Sequence, residues 1–298
     1  MRTSCLKRLY FGILGIFLSG SLFAAPIPVV ASFSILGDVT KQIGGNRITV
    51  HTLVGPQQDA HVYQLKTSDI RQLRNAKLVL LSGYGFEPAA VQRAAQQSKV
   101  PLAYAAQGIR PMVVKDADDH GHTHGRYDPH VWNDPVLMQT YVRNVANALI
   151  KVDPAGKAYY QQRLGSYENT LKSLHAYAQK SFAAIPVAKR KVLTSHDAFG
   201  YMGRRYQIQF IAPQGVSTEA EPSAKDVASI IRQIKQLHIK AVFSENIKDP
   251  RMINRIAQST GAHVSGNLYS DALSQGNPAG TYVDLFRHNI QALSAAMK

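Results

Sequence analysis

A single cysteine, Cys5, among 298 residues excludes an intrachain disulfide framework and any zinc ribbon or iron–sulfur cluster held by the chain's own thiolates. A metal bound here must therefore be held by histidine and carboxylate. Charge is sparse, at 18 % of residues, and acids are the scarcer sign: 19 Asp and Glu against 34 Lys and Arg give a formal net charge of +15. Such an excess raises nucleic-acid binding as a first idea. The longest basic run, however, is only Lys189-Arg190-Lys191, and the other cations are scattered among acids without interleaved aromatics, so no nucleic-acid partner is expected. Beyond the N-terminus no segment approaches the roughly 20 apolar residues that cross a bilayer. With 21 Gly, 14 Pro and 45 % hydrophobic residues, collagen-like, Pro-rich and disordered states are excluded as well. What remains is a globular chain with apolar material for a sizeable core, enough for two compact units.

The first 24 residues set Arg2, Lys7 and Arg8 before the apolar Leu9 to Leu18 run and end in small residues around Ala24 and Ala25. This reads as a secretory signal peptide, with cleavage expected after Ala24 or Ala25. Cys5 lies in the basic region rather than after the apolar run, so the expectation is an exported periplasmic protein, cleaved and not lipidated. Losing the signal removes three cations and no acid, and the remainder stays strongly basic.

Short β-rich runs alternate with amphipathic helical stretches, the pattern of βα units around parallel sheets, so the fold class is α/β. Strands are expected at Pro28 to Phe33, Thr49 to Val54, Lys77 to Ser82 and Leu102 to Ala105, then at Lys191 to Thr194, Gln207 to Ala212, Ala241 to Ser244 and His263 to Leu268. Four and four suggest two similar lobes, residues 25–153 and 186–298. Between them, residues 154–185 carry Tyr160, Leu164, Tyr167, Leu171, Leu174, Ala178 and Phe182 in steps of four and three, one helical stripe. About 30 residues at ~1.5 Å each make a rod near ~45 Å, long enough to back both lobes. Gly165 could break it into two helices inside a single domain.

Four residues pair a metal-ligating side chain with a strand end or a constrained turn: His61 in QQDAHVYQ, His130 in YDPHVWNDP, His196 in LTSHDAFGY and Asp271 in LYSDALS. Singly, each histidine is weak evidence, since a lone His near an apolar strand is more often an ordinary interior or surface residue; the contexts together make the case. Open α/β sheets keep ligands at the carboxyl ends of strands, and Pro129 restricts the backbone of Asp128 before it and so the turn that presents His130. Three imidazoles and one carboxylate suit four-coordinate Zn²⁺, or Mn²⁺ or Fe²⁺ with a bidentate carboxylate. A separate polar segment, DADDHGHTHG, places His120, His122 and His124 on alternate positions, an auxiliary, loosely chelating loop or a merely solvated one.

With DAHVYQLKTSDI from Asp59, DPHVWNDP from Asp128, SHDAFGYMGRRY from Ser195, STEAEPSAKD from Ser217 and SDALSQGNPAGTYVDLFRHN from Ser270, the chain resembles the zinc/manganese class of periplasmic solute-binding proteins that feed ABC transporters, over nearly all of its length after the signal. The resemblance implies two α/β lobes joined by one long helix, and one tight metal site in the cleft formed by His61, His130, His196 and Asp271. It also implies delivery of the ion to a membrane permease, by a monomer without enzymatic activity. Ala60 and Gln64 depart from the family's usual Pro and Glu, which puts the rigidity of the His61 turn in question. In that family, histidine at the place of His196 goes with zinc carriers or with members that accept both ions, and glutamate with manganese or iron carriers, so zinc is expected, with manganese or iron as the alternative. A secreted zinc hydrolase is the competing class; it needs an open coordination position and a general base, and no H-E-x-x-H motif occurs. Glu219 and Glu221 cluster near a loop and are expected to order the hinge side. A surface adhesin fits an exported basic protein, but no repeat array supports it.

Overall fold

The computed structural model describes residues 25–114 and 127–298. The first lobe contains β1 (Ile27–Phe33), α1 (Ser34–Gly44), β2 (Ile48–Val54), α2 (Thr67–Asn75), β3 (Leu78–Leu81), α3 (Ala89–Gln97), β4 (Leu102–Tyr104), β5 (Met112–Val113), β6 (Tyr127–Asp128) and α4 (Pro135–Val152). The long α5 (Lys157–Ala183) follows, and then α6 (Gly200–Tyr206), β7 (Lys191–Leu193), which precedes it, β8 (Gln209–Ile211), α7 (Ala224–Leu237), β9 (Ala241–Glu245), α8 (Arg251–Thr260), β10 (His263–Leu268) and α9 (Tyr282–Ala296).

Two four-stranded sheets result, ordered β2-β1-β3-β4 and β10-β9-β7-β8, with every pairing in them parallel. Read in chain order the two sheets have the same topology. The first strand of each lobe is flanked by the second on one side and the third on the other, which puts a topological switch point between β1 and β3 and another between β7 and β9. A buried glutamate spans each. Glu87 accepts from Ser32 Oγ on β1 at 2.7 Å and from the Ser82 amide past β3 at 2.5 Å; Glu245, the last residue of β9, accepts from the Ser195 amide past β7 at 2.8 Å.

Strand composition explains the sheets. LVLL in β3 is buried along its whole length, as expected for a parallel strand covered on both faces. The eight sheet strands lie close to the positions read from the sequence. β8 starts later than expected because Gln207 takes φ 56° as the left-handed cap of α6 and cannot extend a strand. The antiparallel β5–β6 pair, two residues each, was too short to carry a period.

Helix α5 runs unbroken through Gly165, burying Tyr160, Tyr167, Leu171, Leu174, Ala178 and Phe182 with Leu164 half-buried. It packs along α1 and α4 of the first lobe and α6 and α9 of the second. The main hydrophobic cluster is continuous from Val29 and Leu80 through Leu171 to Phe243 and Leu293, and a smaller one around Val242, Ile234 and Ile256 lies in the second lobe alone. Local signals start the flanking helices. Asp134 caps α4, accepting the Val136 amide with Pro135 in the first turn, and Ser223 and Asp226 form a capping box on α7.

Two substitutions on α5 should move stability in opposite directions. A Cβ at Gly165 meets open space, so Gly165→Ala should stabilise by about 0.5–1 kcal/mol through helix propensity. Leu171 is fully buried, so Leu171→Ala should cost about 2–5 kcal/mol. Urea unfolding midpoints check both; a stabilising Leu171→Ala would contradict the packing of α5.

Candidate metal centre

His61, His130, His196 and Asp271 converge. One nitrogen from each histidine and a carboxylate oxygen lie within 4.8 Å of one another, all four residues buried. His61 Nε2 is 3.3 Å from both His130 Nε2 and Asp271 Oδ2, and His196 Nε2 is 3.1 Å from Asp271 Oδ2. Three of the four side chains are fully inaccessible and that of His61 is 4 % exposed. Despite this proximity, His196 Nε2 and both Asp271 oxygens make no properly angled hydrogen bond. Buried polar atoms left so are costly unless a cation sits among them.

Each side chain is presented by a short irregular segment. His61 stands in the loop between β2 and α2, where Asp59 Oδ1 accepts its amide at 3.0 Å. His130 follows Asp128-Pro129, and Asp128 Oδ1 lies 2.9 Å from the His130 amide and 2.8 Å from ring Nδ1. His196 leaves β7, and Glu245 takes its amide on Oε1 at 2.9 Å and faces its Nδ1 with Oε2 at 2.6 Å. A carboxylate at Nδ1 draws the ring proton there and turns the lone pair of Nε2 into the centre. Asp271 follows β10, and the carbonyl of its neighbour Ser270 accepts from Trp132 Nε1 at 2.7 Å.

An aromatic wall closes the first-lobe side. Phe86 stands edge-on to His61 at 4.9 Å between centroids and to Trp132 at 4.7 Å, and Trp132 packs against His130 at 5.3 Å. Further bonds join the lobes around the centre: Asn133 Nδ2 to the Ala198 carbonyl at 3.0 Å, Tyr201 Oη to the Asp128 carbonyl at 2.7 Å, and the Leu273 amide to Ser34 Oγ at 3.0 Å.

Burial works against charge on every one of these groups, and neighbours decide the outcome. For His130, Asp271 and then Asp128 outweigh burial and push the imidazole up to about 9. For His196, Glu245 and Asp271 overcome burial and hold it well above its usual value. Asp271 is held well below the usual carboxylate range by His130 and His196, against its burial. His61 is lowered, because burial dominates over Asp271.

The sequence reading missed the outer carboxylates and the aromatic wall. Glu245 ends a recognisable strand at a switch point, a usable signal; the role of Asp128 was hidden in a motif read only for its proline. Glu219 and Glu221, expected to order the hinge side, are exposed to solvent. His120, His122 and His124 lie outside the described residues.

Parallel-sheet lobes braced by one long helix, with a buried three-imidazole, one-carboxylate cluster in the cleft between them, define a substrate-binding protein for transition-metal ions. The family model described as "Zinc-uptake complex component A periplasmic" matches residues 29–296, and the chain belongs to that family, the substrate-binding components of metal ABC transporters. It is similar to the manganese-binding lipoprotein MntA of Bacillus subtilis (31 % identity, covering 91 % of this chain and 90 % of that one). It is also similar to the zinc-binding protein TroA of Treponema pallidum (30 % identity, 90 % and 88 %) and to the metal ABC transporter substrate-binding lipoprotein SloC of Streptococcus mutans (25 % identity, 98 % and 98 %). The solved structure of TroA superposes with a TM-score of 0.85 at 28 % identity, covering 92 % of this chain and 99 % of that one.

These relatives correct one expectation. The reading of an exported protein without lipid is overturned, since SloC and MntA are both named as lipoproteins. That reading hung on where Cys5 falls in the N-terminal segment, and one residue's position was too slight a basis for excluding an anchor.

The raised imidazoles fix a pH dependence. A group whose pKa is higher folded than unfolded stabilises the fold below the unfolded value, ~6.5 for histidine, and that contribution is lost as pH rises through the folded value. With His130 up at about 9 and His196 raised in the same direction, the metal-free protein should melt at progressively lower temperature from pH ~6.5 to ~9. His61, lowered by burial, acts below that window. Calorimetry on chelator-treated protein checks this; a melting temperature that rises across the window would contradict the assignment.

Proposed function

We propose that His61, His130, His196 and Asp271 together bind one divalent transition-metal ion per chain as cargo, most favourably Zn²⁺, and that the chain hands it to the permease of an ABC transporter. The observation that carries this reading is the convergence of four buried donor groups, with His196 Nε2 and both Asp271 oxygens lacking any other partner. Residues 25–153 supply His61 and His130 and residues 186–298 supply His196 and Asp271, so the ion is held between the lobes, with residues 154–185 as the brace behind them. All four ligands come from one chain, which suits a monomer.

Capture rather than catalysis is supported by the closed set. Four protein donors fill a tetrahedral zinc site and leave no position for an activated water. The acids that face the rings from behind, Asp128 and Glu245, are committed to imidazole Nδ1 atoms, and Asp59 is engaged by the His61 amide and Thr218.

Three imidazoles favour Zn²⁺ over Mn²⁺, in line with the Irving–Williams order. Both Asp271 oxygens face the centre, which lets the carboxylate bind bidentate and makes manganese the second reading. Zn²⁺ should displace Mn²⁺ from wild-type protein at one ion per chain, and His196→Glu should narrow the gap. Competition titration with elemental analysis checks this; a wild-type preference for Mn²⁺ would refute the argument from His196.

Glu245→Gln supplies a second test. If its amide oxygen keeps the Ser195 and His196 amides, its NH₂ must face His196 Nδ1, and the ring proton moves to Nε2, where it blocks the ligand lone pair. Zn²⁺ affinity should fall by about 10–100-fold. Equal affinity of the variant in a chelator competition would show that Glu245 does not set the tautomer.

A further inference from the structure

His61 is held differently from the other two histidines. Asp128 stands behind the His130 ring and Glu245 behind the His196 ring, whereas among the described residues the only carboxylate within ion-pair distance of the His61 ring is Asp271, inside the centre itself. Its loop has no regular structure from Gly55 to Lys66, and Val62 next to it is an exposed apolar side chain. Phe86 packs edge-on against the ring and Ala60, Tyr63 and Leu65 seat the loop on the core, while the hydrogen bond that fixes the His61 backbone comes from Asp59, whose Oδ1 accepts the His61 amide.

The other oxygen of Asp59 reaches into the opposite lobe. Oδ2 accepts from Thr218 Oγ1 at 2.6 Å and lies 3.6 Å from Lys248 Nζ. Lys248 Nζ in turn donates to the Thr218 carbonyl at 3.5 Å, so the hydroxyl and the ammonium meet the carboxylate as one unit. Thr218 is buried, and Asp59 and Lys248 are shielded to 11 % and 16 % side-chain exposure. A bond to a charged group at such a site is stronger than an ordinary surface contact. A second tie in the same loop, from the Gln57 amide to the Leu273 carbonyl at 2.9 Å, is backbone only and does not touch the His61 turn.

We propose that Asp59, Thr218 and Lys248 form a latch across the cleft that sets how long the bound ion stays, with Asp59 as a positioning residue that acts through His61. One carboxylate reads both conditions: Oδ1 shapes the ligand's turn, and Oδ2 senses whether the second lobe is in place. When Thr218 and Lys248 withdraw, the ligand that lacks a ring partner is the first to loosen, and release starts at His61. This rests on the metal-capture reading above and adds to it the route by which the ion leaves.

Asp59 also shapes the turn, so the test acts on the far lobe. Wild type, Thr218→Val, Thr218→Ser and Lys248→Met are loaded with Zn²⁺; dissociation is timed by stopped flow into excess chelator, and association is measured in parallel. Thr218→Val should release Zn²⁺ about tenfold faster, since it removes a hydrogen bond to a charged acceptor, with association changed less than about threefold. Thr218→Ser should restore the wild-type rate, and Lys248→Met should speed release in the same direction. An unchanged release rate in Thr218→Val, or a loss shared equally with association and with the melting temperature of the metal-free protein, would overturn the latch while leaving metal capture standing. A wild-type protein that holds no Zn²⁺ at one per chain would bring down the capture reading and the latch with it.

Discussion

The carboxylate of Asp271, buried without a hydrogen-bond donor and facing three imidazoles, is the constraint around which the molecule is arranged. A naked charge at such depth is untenable, and only two kinds of partner are at hand. His130 and His196 are both pushed toward the protonated form, by Asp271 together with Asp128 and Glu245 respectively, and protons there offset its charge when no ion is bound. A divalent cation can take over that role, and loading is then an exchange of protons for metal. Asp128 and Glu245 serve both states: they stabilise the imidazolium and, with the ion in place, orient the neutral ring. Phe86 and Trp132 pack against the His61 and His130 rings and line the first-lobe side of the cluster with apolar surface.

Such a cluster can be held only by elements that do not shift independently. Helix α5 packs on α1, α4, α6 and α9, so a single rod backs both sheets. The main hydrophobic cluster runs through both lobes, and only the smaller one stays within the second. Parting the lobes widely would expose apolar surface at roughly 25 cal/mol per Å², and the loop that carries His61 is seated on that core by Ala60, Tyr63 and Leu65 while Asp59 ties it across the cleft. The stiffness of the frame and the cross-cleft tie of a single ligand loop are thus parts of one arrangement.

Much of this was legible from residue patterns. The strands of both sheets could be read because parallel strands covered on both faces are short apolar runs between polar helix starts, and the α5 stripe because its period continues from Tyr160 to Phe182. The four converging residues could be read because each stands at a strand end or before a constrained turn. The partners of Glu245 and of Asp59 could not, since Ser195 and Thr218 are brought to them only by the closed tertiary structure. Nor could β5 and β6, at two residues each. The N-terminal cysteine misled for another reason: it was a single residue's position, read in a segment outside the described residues.

The paired glutamates carry a consequence for where the cargo can lodge. In an open α/β sheet the vacancy at the switch point is the natural berth for a small ligand. Here Glu87 plugs one berth, bonded to Ser32 and Ser82, and Glu245 plugs the other, bonded to Ser195 and His196. Among the described residues the switch point of each half is thus occupied by a side chain, and the four converging donors meet between the halves instead. Two sheets of the same topology, each with a glutamate across its switch point, thereby leave room between them for something as small as one ion.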